Sequence, residues 1–275
     1  MIVINVVAVT VAFNRPETLS KTLFSLANQQ QLSKIIVVDN GATREVKDVI
    51  MAYERDFSSL VDTLETGENT GGAGGFFFGM KYAFEKYKPD WYWIMDDDAY
   101  PRKNCLEELL KHTDCSPGFL APLIFGLGKS KFQIYHHKKM SRFLDKEYSA
   151  VDTNVNEMDG QLIELDANAF VGPLISKEAI ESLGFPNKEL FIYGDDTEYT
   201  YRITRRFRSL LVTSAVIDHE DVPAPSSTGA PYHWWKDYYS LRNRLLLIRE
   251  FERGLSKFSG FSLIFLRVLK GSVAA

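Results

Sequence analysis

Three consecutive carboxylates, Asp96, Asp97 and Asp98, close the apolar aromatic run Trp91-Tyr92-Trp93-Ile94-Met95. Adjacent like charges repel one another, and at a strand end they are a liability unless a cation neutralises them. Hard oxygen ligands of this kind suit Mg²⁺ or Mn²⁺. In an extended segment Asp96 and Asp98 project to one side and Asp97 to the other. That spacing makes an Asp-x-Asp clamp able to hold a divalent cation against a diphosphate. Taken alone, the triplet also reads as an acidic turn after a core strand.

A second acidic group follows later. Gly194-Asp195-Asp196-Thr197-Glu198-Tyr199 opens an expected helix, where the dipole favours carboxylates. Capping is one reading; a general base that takes the proton of an incoming hydroxyl, Asp196 or Asp195, is the other. His219, in Asp218-His219-Glu220, ends an expected strand and reads as a metal ligand beside the Asp-x-Asp, or as a structural histidine without it. His112, His136 and His137 sit in surface-like contexts, and His233 is a second candidate. Asn69-Thr70-Gly71-Gly72-Ala73-Gly74-Gly75 precedes a helix. Its glycines let the backbone approach a ligand, and the helix N-terminus favours an anion. A dinucleotide fingerprint should follow the first strand, but Thr10–Arg15 holds no glycine, which speaks against a nicotinamide cofactor. Trp234-Trp235, Tyr238-Tyr239 and Arg242-Asn243 make an aromatic, basic stretch. Its rings suit a core or a stacked sugar, and its arginine suits a phosphate.

The elements that must position these groups alternate. Strands are expected at 2–12, 35–38, 60–64 and 91–95, and helices at 15–29, 44–57 and 75–87. Helices of this length between strands imply parallel βαβ units, whose ligands bind beyond the carboxyl ends of the strands. Asn14-Arg15, Asp39-Asn40, Asn69 and Asp96–Asp98 all sit at such ends. Further strands are expected at 119–125, 162–176 and 210–217, with a polar excursion at 126–159, a helix within 189–208, a Pro/Ser-rich loop at 222–229 and a long helix over 233–253. The expected organisation is a catalytic domain over 1–230, its two halves meeting at about 100, and a helical, basic extension over 231–275.

The 275 residues, 45% hydrophobic and 25% charged, have a globular composition. A formal net charge of −4 gives no reason to expect nucleic acid as a partner. From Pro231 onward, however, eight Lys and Arg face three acids. The apolar run 258–269 is too short to span a bilayer and suits either an interfacial helix or one docked on the chain's own core. Cys105 and Cys115 form no disulfide framework, and no signal peptide is visible, so a cytoplasmic protein is expected, with peripheral membrane contact through the C-terminus.

The motifs together resemble family-2 glycosyltransferases of the GT-A fold, within the galactofuranosyl- and rhamnosyltransferase subgroup. The resemblance is carried in order by Thr10 to Arg15, Val37 to Gly41, Glu68 to Phe76, Trp93 to Asp98, Gly194 to Tyr199, His219 and Tyr238 to Asn243. It implies a mixed, mostly parallel central sheet flanked by helices. Thr10, Phe13, Asn14 and Arg15 would line a nucleoside pocket, and Asp39, with Asn40, would read the base. Asn69, Gly71, Gly72, Gly74 and Gly75 would accommodate the donor sugar and pyrophosphate, with Asp96 and Asp97 also on the donor side. Asp96, Asp98 and His219 would hold Mn²⁺ or Mg²⁺, and Asp196 would be the base. Asn168, Phe170, Trp234 and Trp235 would lie toward the acceptor. The implied reaction moves a hexose, with inversion, from a UDP- or dTDP-linked donor to a glycan or lipid-linked glycan. Two alternatives are a sugar-phosphate nucleotidyltransferase, which would carry a glycine-rich loop after the first strand, and a non-catalytic carbohydrate-binding protein, which would lack the metal or base acids.

Overall fold

The computed structural model describes residues 4–128, 133–140, 148–149, 160–220, 234–254, 257–258 and 260–262. β1 (Val6–Ala12), β2 (Leu32–Asp39), β3 (Val61–Glu65) and β4 (Trp91–Asp96) pair in parallel, in the order β3-β2-β1-β4. Their β-branched and aromatic residues suit strands buried on both faces. α1 (Pro16–Ala27) starts with a proline at its first turn, where the missing N–H costs nothing. α2 (Arg44–Asp56) buries Val46 and Ile50, one helical turn apart. α3 (Gly71–Lys86) returns the chain to β4.

The same sheet continues through β5 (Ala99–Pro101), β6 (Phe119–Gly126), β11 (Val171–Ser176) and β12 (Leu210–His219), in the order β4-β11-β6-β12-β5. β11 runs antiparallel to β4 and β6, whereas β12 runs parallel to β6. α4 (Cys105–Leu110), with α1 and α2, packs on the face bearing Val6, Ala8 and Ala12. α3, α5 (Lys177–Leu183) and α6 (Asp195–Thr204) cover the face bearing Val7 and Val9. Three layers result. The strand order reverses between β1 and β4, so their carboxyl ends open a crevice of the kind that binds ligands.

Three expectations on element bounds are corrected. The helix expected from residue 75 begins at Gly71, so the glycine run is its first turn and not a free loop. An added Cβ on Gly75 would stand 2.4 Å from Val11, and one on Gly79 2.5 Å from Val9. These two glycines serve the close approach of α3 to β1. The single strand expected over 162–176 is three: β9 (Leu162–Glu164) pairs with β12, β10 (Ala167–Asn168) crosses to a small second sheet, and β11 rejoins the first. The second sheet joins β10 to β7 (His137–Lys139) and β8 (Tyr148–Ser149), which come from the polar excursion. Thirdly, the chain turns directly after Asp96, and Asp97-Asp98 make the turn into β5.

α7 (Trp234–Phe251) follows the core. The 222–229 loop, His233 and residues 263–269 of the apolar run lie outside the described residues. No helix among the described residues is long and apolar enough to cross a membrane.

Candidate active site

β4 delivers Asp96 to the crevice, and the turn after it sets Asp97 and Asp98 side by side, both buried. The expected alternation fails because the segment is not extended there. Instead of opposing each other, Asp97 and Asp98 share one partner: the Arg15 guanidinium, rising from the end of β1, bonds a carboxylate oxygen of each. The bidentate geometry of arginine suits such a pair. Arg15 was expected in a nucleoside pocket; here its charge is engaged by the acids.

The three acids differ in proton affinity. Desolvation, with Asp98 beside it, pushes Asp96 well above the usual carboxylate range. Desolvation outweighs Arg15 at Asp97 and pushes it up to about 6. At Asp98 the desolvation is overcome by His219 and Arg15, which hold it below its ordinary value. Asp98 Oδ1 is buried, makes no well-formed hydrogen bond, and lies 3.4 Å from His219 Nε2.

Sequence reasoning missed what orients that histidine. The Gln133 amide oxygen stands 3.1 Å from His219 Nδ1 and 3.0 Å from His136 Nε2. With Nδ1 held at the Gln133 amide oxygen, His219 turns Nε2 toward Asp98, the arrangement of a metal-ligating imidazole fixed from behind. His136 packs edge-on against His219 at 4.9 Å, and burial holds its imidazole far below the usual range. His136 and His137 were expected at the surface and are buried, because residues 133–140 fold back against His219 and β10. A glutamine carries no spacing signal that could have marked Gln133 beforehand.

Among the described residues, no group of three His, Cys, Asp or Glu side chains stands ready to hold a metal ion. The Asp98 carboxylate and His219 imidazole still suit Mn²⁺ or Mg²⁺ as donors, and the buried Asp98 oxygen facing Nε2 is what a cation between them would satisfy.

Across the crevice, α6 presents Asp195 and Asp196 from its first turn. Asp195 is buried, and desolvation with Asp196 beside it raises it to about 7. Its Oδ2 would stand 3.7 Å from a Cβ on Gly72, and its charge contributes to the raised proton affinity of Asp96. The acids of β4 and α6 therefore face one another over the glycine-rich end of α3. Asp196 is half-buried, and Thr197 donates to its Oδ1 from both N–H and Oγ1. Lys138 Nζ, buried, donates to that Thr197 hydroxyl at 2.6 Å.

Other expected residues fall elsewhere. Thr10 is buried on the β1 face of Val6, Ala8 and Ala12, where strand alternation places it. Phe13 and Asn14 are exposed beyond the end of β1. Both Asp39 oxygens are engaged, one by the Ala42 N–H at 2.7 Å and one by Lys47 Nζ at 3.2 Å. Asn40 ties the 66–71 segment down: its Oδ1 accepts from Thr70 N–H and Oγ1, and its Nδ2 donates to Gly71 O. Asn69 Oδ1 accepts from the Gly71 N–H. The start of α3 is not open to an anion throughout, since the Ala73 N–H donates to the Phe191 carbonyl. Asn168 and Phe170 are buried, the first bonded to His137 and Thr200, the second packed on Phe76 and Tyr199. Neither offers a surface to an acceptor. Trp234 and Trp235 open α7, where Trp235 packs on Tyr239. Arg242 spends its guanidinium on the Glu189 and Leu190 carbonyls, not on an open anion site.

This layered sheet is found in solved glycosyltransferases. The crystal structure of GalNAc-T7 with UDP, GalNAc and Mn²⁺ matches over 90% of this chain and 48% of its own, with a TM-score of 0.69 at 16% identity. The fold is the mixed α/β GT-A fold. The family model "Glycosyl transferase family 2" matches residues 7–184, and the chain belongs to that family. It is 28% identical over 204 residues to the galactofuranosyltransferase GlfT1 of Mycolicibacterium smegmatis, covering 73% of this chain and 65% of that protein. It is 24% identical over 260 residues to the dTDP-rhamnosyl transferase RfbF of Shigella flexneri, covering 90% of this chain and 80% of that one. The chain thus spans just under two thirds of the galactofuranosyltransferase it matches.

Proposed function

We propose that this chain transfers a hexose, galactofuranose or rhamnose, from a UDP- or dTDP-linked donor to a hydroxyl of a glycan or lipid-linked glycan, inverting the anomeric carbon. The observation that carries the reading is the facing of two acid groups, Asp96–Asp98 and Asp195-Asp196, over the end of α3. The similarity to galactofuranosyl- and rhamnosyltransferases supports the choice of sugar. Membership of family 2 sets the nucleotidyltransferase alternative aside.

In this reading Asp196 takes the proton of the acceptor hydroxyl as its oxygen attacks the anomeric carbon. The bond from that carbon to the diphosphate oxygen breaks, and its electron pair leaves with the nucleoside diphosphate. Asp98 and His219, with Asp96, would hold Mn²⁺ or Mg²⁺. That ion, when bound, supplies charge stabilisation to the departing diphosphate. Arg15, once a cation takes over the neutralisation of Asp97 and Asp98, is placed to meet the diphosphate. Phe13 and Asn14 border the nucleoside, and Gly72 leaves room for the donor beside Asp195. Residues 1–230 form the catalytic unit in this proposal, and the basic C-terminus supplies peripheral contact with the cytoplasmic membrane face.

Calorimetric titration with UDP and with dTDP, each with and without Mn²⁺, tests the reading. Metal-dependent binding of UDP points to a galactofuranose donor, and a dTDP preference points to rhamnose. Binding of neither by folded protein removes the reading. Asp196→Asn should bind as the wild type does and lose transfer by ~10²–10⁴-fold.

A further inference from the structure

The segment that leads into Asp195 is held in a conformation its residues do not favour. Phe191 and Tyr193 both have φ of 65°, and Gly194 follows at 82°. Left-handed backbone at two aromatic residues persists only where the surroundings impose it. What imposes it lies on α7. Asn243, buried, donates from Nδ2 to the carbonyls of Leu190, Ile192 and Tyr193 at 2.7–2.8 Å. Arg242 donates to the Glu189 and Leu190 carbonyls, and its Nε donates to Asn243 Oδ1 at 2.9 Å, fixing which end of the amide faces the segment. Tyr239 stacks on Phe191, with ring centroids 4.8 Å apart.

The carbonyl that α7 leaves over, that of Phe191, accepts from the Ala73 N–H at 3.1 Å. Gly71 makes this contact feasible, since a Cβ there would stand 2.1 Å from the Phe191 oxygen. The segment is therefore pinned on one side to α7 and on the other to the start of α3, and the next residues are Gly194 and the acid pair.

We infer that Asn243 is a positioning residue for sugar transfer. Through the 190–194 segment it sets where Asp195 and Asp196 stand relative to Asp96. This rests on the reading of Asp196 as the base. It also makes α7, which lies beyond the residues matched by the family model, part of the catalytic apparatus and not an appendage.

Asn243→Asp keeps the shape but replaces the donating amide with a carboxylate facing three carbonyls. Release of UDP from UDP-galactofuranose and of dTDP from dTDP-rhamnose, with Mn²⁺ and with water taking the sugar in place of the acceptor hydroxyl, gives the kinetic readout. Amide exchange at Ala73 gives the structural one. We expect kcat to fall by ~10²-fold, the effect of a small misplacement of a catalytic group, while donor KM stays within about twofold. Exchange at Ala73 should quicken, and that of the β1 amides should not. Unchanged turnover, unchanged protection at Ala73, or a loss confined to KM would overturn the inference. If Asn243→Asp fails to fold, Arg242→Lys removes only the guanidinium fork and should move both readouts the same way, by ~10-fold in kcat. A wild-type protein that releases nothing from either donor defeats the functional reading, while exchange at Ala73 still judges the clamp.

Discussion

Asp195 is the residue whose burial is hardest to reconcile with its charge. Its carboxyl sits beside Asp196 and is raised to about 7 from an ordinary value of 3.8. The sign of the consequence follows from linkage. Between those two values the folded protein holds a proton that the unfolded chain has already released. The contribution of this group to stability is therefore complete below pH ~4 and is lost as pH rises through about 7. An asparagine has no proton to lose. Asp195→Asn in metal-free buffer should match the wild type at pH 4 and exceed it at pH 8 by on the order of 1–3 kcal/mol. Thermal melts at the two pH values measure this. A variant no more stable than the wild type at pH 8 would show that the carboxylate is compensated by contacts beyond its acidic neighbours. The same crowding gives the acid triplet its character: two of its members bond Arg15, whereas burial and Asp98 raise Asp96 in spite of the attraction of Arg15.

At the scale of elements, the glycines of α3 decide how close the helix comes to the sheet. A methyl group on Gly79 would stand 2.5 Å from Val9 and 2.6 Å from Val38, on two neighbouring strands that cannot both retreat. Alanine gains ~1 kcal/mol of helix propensity over glycine, but overpacking a tight contact costs more. Gly79→Ala should lose roughly 1–2 kcal/mol net in urea unfolding, and a gain instead would mean that α3 slides freely on β1. The parallel strands and their helices were legible in the sequence because β-branched runs and helical lengths are local properties. The same local signal was ambiguous at the glycine run: close helix packing and close ligand approach both call for glycine, and only the partner, Val11 for Gly75 and the Asp195 carboxylate for Gly72, tells them apart. Alternation sets Thr10 on one face with Val6, Ala8 and Ala12, but which face borders the crevice is not legible in it. Gln133 and the burial of the His136-His137 pair were out of reach, and Asn243 was legible only as a motif residue without a partner, because each acts through contacts across more than 30 residues of chain that no spacing rule encodes.

For the molecule as a whole, the crevice concentrates acidic groups that the fold must tolerate while no ligand is bound. Asp96, Asp97 and Asp195 are all held above the usual carboxylate range by desolvation. In the proposed reading a cation seated at Asp98 and His219 would relieve that repulsion, and a nucleoside diphosphate would strengthen its hold. Binding to the folded state alone raises stability by ~2.7 kcal/mol at a hundred times the dissociation constant. For a chain of this size that corresponds to a rise of roughly 5–10 °C in Tm. Mn²⁺ with UDP or dTDP should therefore raise Tm by this amount, Mn²⁺ alone by less, and the nucleotide alone by least of all. Asp98→Ala removes both the metal-facing oxygen and one partner of Arg15, so it should abolish the response to Mn²⁺ whatever it does to the baseline. A variant that still responds fully would move the metal to Asp96 and the α6 acids, and would leave Asp98 with Arg15 as a structural pair.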